Sequence, residues 1–375
     1  MTMTMIEAHQ RRMSSRSHKT EDEPEDVPRK ELVPPLFTNN HVMTASIAES
    51  GLSTINSYIF GVISILLNTL LIYVIHKRCP KVIGAYKYMM TACAIFDICF
   101  SIVYIVVSPT FAATPEMSAL LIVNGGFLMS SDWGLMLLIV FVWLLCQSLV
   151  TPACLFVFRY LQICRSNYIV QRVQWLRCFL IVPFLTSSST CALLCFAAWP
   201  TQFDLEYFTS IAYAINVNGN TTFLVATLHN PTNANILEAL QSYTLYAAIF
   251  CIVLVMVTSM ITMIFCSKKI ICVVMHTTSG NTRQLHIQLC KTLVAQSACP
   301  FLLLHVPFYV SILAPLFEGR TGEASNYFPF LFAWCPAINP LITICFMREF
   351  RQFILSFFKK TMIKSKSSLF LVSTM

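Results

Sequence analysis

Seven long apolar stretches, separated by short polar segments, organise this chain: Thr54–Ile75, Tyr88–Pro109, Gly134–Phe158, Cys178–Trp199, Tyr243–Phe265, Thr292–Ala314 and Tyr327–Phe346. Each has the roughly 20–25 residues a helix needs to cross a hydrocarbon core about 30 Å thick. Backbone groups cannot stay unpaired in lipid, so each stretch predicts a transmembrane helix. A further mildly apolar segment, Ala119–Met129, is too short to span and contains Gly125-Gly126, which places it in the loop after span two. After span seven, Phe350, Phe353, Ile354, Phe357 and Phe358 recur at helical spacing among basic residues. That pattern predicts an amphipathic helix lying on the inner leaflet.

Charge orients the bundle. The connectors after spans one, three and five hold twelve Lys or Arg and no acid, and the tail after span seven adds six basic residues against Glu349. The connectors after spans two, four and six hold seven acids and one basic residue, Arg320. The basic side faces the cytosol, which puts the N-terminus outside and the C-terminus inside. The net charge of +8 therefore describes a membrane face, suited to anionic lipid and an acidic partner, and not a nucleic-acid surface. The expected organisation is an all-α membrane protein. It has a disordered outer tail over 1–53, a seven-transmembrane bundle over 54–346, an amphipathic helix over 347–360 and a cytosolic tail over 361–375.

The sixteen cysteines all fall in spans or inner connectors, away from the oxidising side. Asn220-Thr221-Thr222 is a glycosylation sequon in the longest outer loop, so Asn220 is the candidate glycan site. The N-tail lacks an apolar signal-peptide core, which makes span one the expected signal anchor.

Chemistry inside the membrane is sparse. Asp97 is the one charged residue and His305 the one histidine within the seven stretches, and no metal-ligand spacing, phosphate loop or paired carboxylate accompanies them. An enzyme is not expected, and neither is a cofactor. A mid-span carboxylate costs about 2.5–3.5 kcal/mol on insertion scales and needs polar company. Asn68 in span one and Asn339, next to Pro340, in span seven are the expected neighbours. Such a group either hydrates and packs the helices, or acts as a polar switch that changes partners or takes up Na⁺ or a proton. Two prolines in span six, Pro300 and Pro307, and two in span seven, Pro336 and Pro340, predict bends that let the inner ends swing. Depth alone selects an outer-half lining of Trp143, Tyr246, Phe250, His305, Phe308, Tyr309, Phe330 and Phe332. These residues are equally suited to ordinary packing. As a pocket they suit a small, neutral, hydrophobic ligand.

The local motifs carry a resemblance. Gly84-Ala85-Tyr86-Lys87-Tyr88-Met89-Met90 leads into span two, with Phe96-Asp97 following. Phe158-Arg159-Tyr160-Leu161 ends span three. Lys291-Thr292-Leu293-Val294 precedes Gln296, Pro300 and Pro307, and Pro336-Ala337-Ile338-Asn339-Pro340 precedes Phe350-Arg351. Together they resemble the nematode chemosensory receptors of the Str family, over about residues 50 to 358. The resemblance implies a G-protein-coupled receptor of the olfactory type in the plasma membrane, including that of sensory cilia. It would bind an odorant-like small molecule from outside and signal to a heterotrimeric G protein. Arg159 and Tyr160 would form the G-protein interface. Phe158 stands where rhodopsin-like receptors carry an acid beside that arginine, and Thr343 where they carry a tyrosine. No outer cysteine is available to tie the second outer loop to span three, which leaves that loop either held by packing or mobile. The alternative is a seven-span ligand-gated channel, whose inverted topology the charge count opposes.

Overall fold

The computed structural model describes residues 40–78, 83–114, 119–127, 129–164, 173–215, 222–227, 236–277, 280–316 and 324–356. Span one is α1 (Asn40–Arg78), span two α2 (Tyr86–Val107), span three α3 (Ser131–Cys164) and span four α4 (Val173–Ala197). A short helix, α5 (Gln202–Ile215), lies between spans four and five. Span five is the long α6 (Ile236–Thr277). Span six is broken into α7 (Gly280–Pro300), a π-helical turn (Phe301–His305) and α8 (Val306–Leu316), and span seven is α9 (Ala324–Phe346). A final helical segment, 348–356, follows directly. Among the described residues six helices are long and apolar enough to cross a membrane, and span four contributes a shorter apolar length, Ile181–Ala197.

The helices run past the predicted limits at several ends, because polar residues extend a helix beyond the hydrocarbon without showing in an apolar pattern. Span one begins at Asn40, so residues 40–53, expected in the tail, are helical. Residues 1–39 and 357–375, and with them most of both predicted tails, lie outside the described residues.

The loops between spans hold what the apolar pattern did not predict, a three-stranded antiparallel sheet in the order β1 (Thr110–Thr114), β2 (Ala119–Val123), β3 (Phe223–Thr227). Leu121 pairs with Ala112 on one side and with Val225 on the other. Strand side chains alternate between faces. One face puts Leu120, Ile122 and Leu224 into the main core of the bundle. The other puts Leu121, Val123, Phe223 and Val225 against Phe208 and Ala212 of α5. A strand covered on both faces reads as an unbroken apolar run, so Ala119–Val123 carried no strand signature. The start of α5 is fixed by a capping box. Thr201 N donates to Asp204 Oδ2 at 2.9 Å, and Asp204 N donates to Thr201 Oγ1 at 3.2 Å.

The sheet thus does the work expected of packing, tying the second outer loop to the first with no disulfide among the described cysteines. Its approach to span two demands glycine. Gly126 N donates to Val107 O at 2.9 Å, and a Cβ at Gly126 would lie 1.9 Å from Val106 O.

Candidate functional site

Three regions follow one another along the bundle axis. At the sheet end, which the charge pattern assigns to the outside, a cavity of about 30 Å³ is lined by Leu120, Ile122 and Leu224 of the sheet, Val142 of span three, Leu194 and Cys195 of span four, Leu245 of span five and Phe308 of span six. Apart from the Cys195 thiol these are hydrocarbon side chains.

Of the aromatic lining selected by depth, Phe308 reaches this cavity. Tyr246 and Phe250 do not: they are 55% and 69% exposed, on the face of span five turned away from the bundle. Span five is apolar on every side, so its sequence could not fix its rotation. Trp143 turns toward span four, where its Nε1 donates to Ser188 Oγ at 3.2 Å and its ring meets Phe184 edge-on. Phe332 is fully buried and packs edge-on against Phe111 of β1, bracing the sheet. Phe330 sits beside Tyr327. Tyr309 lies between His305 and Phe308. The missed lining residues are aliphatic, and nothing in their type sets them apart from other span residues. Asn220 lies outside the described residues.

Mid-bundle, the predicted polar residues meet. Asn339 Nδ2 donates to Asp97 Oδ2 at 3.3 Å. Pro340 has no N–H, which frees the carbonyl of Pro336 from its helical bond. Asn68 Nδ2 donates to that carbonyl at 3.0 Å, and also to Ser64 O at 3.0 Å, joining spans one and seven. Gln296 Nε2 donates to Thr343 Oγ1 at 2.7 Å, joining spans six and seven where the resemblance would have a tyrosine. These groups line a cavity of about 70 Å³ that also reaches Ser148 and Ser297. It is roomy and polar enough for a few water molecules. Asn68 Oδ1 and Asn339 Oδ1, buried without a hydrogen-bond partner among the described residues, are the acceptors such waters would serve.

At the basic end, Arg159 is 3% exposed. Its Nη1 donates to Gln162 Oε1 at 2.7 Å and its Nη2 to His286 Nδ1 of span six at 2.8 Å, with the guanidinium 5.1 Å from the Tyr86 ring centroid. An arginine can only donate, so His286 is neutral and carries its proton on Nε2. Gln162 Nε2 in turn donates to Ile83 O at 2.8 Å. Spans three and six are therefore bridged at this end through one neutral acceptor, His286. His286 and Gln162 supply what an acid at Phe158 would have supplied, and neither was singled out by the sequence. Tyr160 is half-buried against Phe265 of span five. The final helical segment closes the same end, with Phe350 fully buried and Phe353 between Tyr73 and Arg78.

A sheet-capped bundle of seven spans, with an apolar pocket at one end, a polar middle and an arginine held between spans three and six at the other, defines a G-protein-coupled receptor and not an enzyme. The profile of the family described as Serpentine type 7TM GPCR chemoreceptor Str matches residues 53–355, and the chain belongs to that family. It is similar to the G-protein coupled receptor str-33 of Caenorhabditis elegans, with 25% identity over 308 residues, 76% of this chain and 84% of that one. Shorter matches join it to the serpentine receptor class r-10 of Caenorhabditis briggsae, 38% identical over 82 residues, and of Caenorhabditis elegans, 35% identical over 79 residues. These matches span about a quarter of each of those two receptors, 24% and 23% of their lengths, and 22% and 21% of this chain. Among solved structures, squid rhodopsin aligns over 85% of this chain and 87% of its own, with a TM-score of 0.47 and 16% identity.

Proposed function

We propose that this protein is a chemosensory receptor of the plasma membrane. It takes a small, hydrophobic, volatile-type ligand into the cavity beneath the sheet from outside and signals to a heterotrimeric G protein at its basic face. Span six is the observation that carries this reading: Phe308 lines the outer cavity, and His286 on the same span accepts the hydrogen bond that holds Arg159. A ligand with higher affinity for the state in which span six has moved would release Arg159 and expose the basic face. Tightness alone shifts nothing; the difference in affinity between the two states does. The oily outer faces of the spans meet membrane lipid, and glycosylation at Asn220 fits the same orientation.

The test is nucleotide exchange by a co-expressed G protein in membranes carrying the full chain. His286→Ala removes the acceptor of a charge-assisted hydrogen bond. Such a bond contributes about 1.5–3 kcal/mol, and the predicted result is basal exchange raised by about ten- to hundredfold. Arg159→Ala is predicted to abolish exchange with surface expression kept. Unchanged basal exchange in His286→Ala, together with intact signalling in Arg159→Ala, would overturn the reading.

A further inference from the structure

Span seven is fastened along one side. Tyr104 OH of span two donates to Pro329 O at 2.6 Å, and Trp334 Nε1 donates to Asn56 Oδ1 of span one at 3.1 Å. Asn68 Nδ2 of span one donates to Pro336 O at 3.0 Å, and Asn339 Nδ2 to Asp97 Oδ2 of span two at 3.3 Å. From Pro329 to Asn339 these bonds join spans one, two and seven into one wall. Span six meets that wall from the other side. Gln296 Nε2 donates to Thr343 Oγ1 at 2.7 Å. Thr343 is fully buried, and its own hydroxyl donates to Asn339 O at 3.2 Å. One turn beyond Gln296 come Pro300 and the π-helical turn Phe301–His305. Helices bend at such interruptions, so the inner half of span six, α7, is the part that can pivot. A bond of this length is lost once its atoms part by about 1 Å, so even the small displacement this close to the pivot breaks it.

The broken bond has a ready substitute. Gln296, Asn339 and Thr343 all line the mid-bundle cavity of about 70 Å³, which has room for a few water molecules. A bridging water is enthalpically nearly as good as a direct hydrogen bond. Neither the amide nor the hydroxyl is therefore stranded when the two part. The bond favours the closed position only by the small net worth of one interhelical hydrogen bond. Tyr104, by contrast, is 1% exposed and does not line this cavity.

We propose that Gln296 is a positioning residue for span six: its bond to Thr343 holds the inner half of that span against the fixed wall of spans one, two and seven, and is exchanged for cavity water when span six moves. The proposal rests on the receptor reading above and names a contact that regulates it. Arg159 and His286 fasten the far end of the same helix to span three, so the moving element is held to two different neighbours. Thr343, which stands where rhodopsin-like receptors carry a tyrosine, is short, and the longer Gln296 side chain supplies the reach.

The experiment uses the full chain in lipid nanodiscs with two readouts. One is the rate at which a maleimide labels Cys290, followed by peptide mass spectrometry; the other is basal nucleotide exchange by added G protein. Cys290 lies on α7, is 5% exposed and packs against Ile270 and Val274 of span five, so its labelling reports departure of the inner half of span six. Gln296→Leu and Thr343→Val are each expected to raise both rates about three- to tenfold, the effect of one interhelical hydrogen bond. The double variant is expected to rise no further than either single, because both substitutions remove the same bond. Thr343→Ser keeps the hydroxyl, and Tyr104→Phe cuts a bond inside the wall. Both are expected to stay within about twofold of the unsubstituted protein, Tyr104→Phe with a lowered thermal midpoint. Unchanged Cys290 labelling in Gln296→Leu, a double variant equal to the product of the singles, or a rise in Tyr104→Phe matching that of Gln296→Leu would each overturn the proposal. If Gln296→Leu does not fold, Thr343→Val against Thr343→Ser decides, and equal labelling of those two overturns it. Faster labelling with no exchange in any sample, His286→Ala included, contradicts the receptor reading and leaves the latch standing. Exchange raised by His286→Ala, with Gln296→Leu inert in both readouts, contradicts the latch alone.

Discussion

Asp97 shows how a charged residue is made tolerable inside a span. Its carboxylate would cost about 2.5–3.5 kcal/mol in lipid, and it is kept by facing inward, where Asn339 donates to it beside a cavity large enough for water. Asp97→Asn keeps the shape and removes the charge. The predicted outcome is normal surface expression with an altered ratio of basal to ligand-driven exchange, read in the same membranes. Loss of expression alone would mark Asp97 as a purely structural residue. Gly126 lies at the opposite extreme, with no side chain and no freedom to acquire one. Gly126→Ala drives a Cβ into the carbonyl of Val106. Overpacking of this kind costs about 1–3 kcal/mol, and a lowered thermal midpoint of the purified protein is the expected result. The contact between Asp97 and Asn339 was legible in residue type, because polar groups in a span need partners; Asn68 lines the same cavity but spends its amide on Ser64 and the Pro336 carbonyl. His286 and Gln162 were not legible, because a histidine and a glutamine near a span's end look like ordinary interfacial residues.

At the scale of elements, the spans were legible and their rotations were not. Length and hydropathy report that a helix crosses the membrane, whereas the direction a side chain faces requires one polar side, which span five lacks. Hence Phe308 reaches the cavity while Tyr246 and Phe250 face away. The two prolines of span six foretold a disturbance there. Its form, a π turn between them, could not be read from missing N–H groups alone. That turn gives a test of span six as the coupling element. An α-helix advances about 100° per residue. Deleting Leu302, whose side chain is exposed, converts the turn toward α-helix and leaves both Phe308 and His286 on their faces. Inserting an alanine after Leu302 rotates the outer half instead. The deletion is predicted to keep low basal exchange, and the insertion to uncouple ligand from exchange at unchanged expression. Equal behaviour of the two would show that span six does not transmit rotation between its ends.

For the whole molecule, the notable economy is at the sheet end. Three five-residue strands and one short helix close the bundle over an apolar cavity, and they do so through backbone pairing and two buried faces with no cross-link among the described cysteines. The sequence hid this lid because two-sided burial erases the alternation that marks a strand. What the whole sequence did display was polarity between the two ends: acids on one side, and eighteen basic residues against Glu349 on the other. On the proposed function that asymmetry makes the sheet end the ligand's side and the Arg159 end the G protein's, and every functional assignment above depends on it. The most direct measurement is therefore antibody access to an epitope fused after Met375, in intact and in permeabilised cells. Staining only after permeabilisation is the predicted result and places Arg159 and the basic connectors in the cytosol. Staining of intact cells would invert the bundle, put the pocket on the cytosolic side and contradict the account.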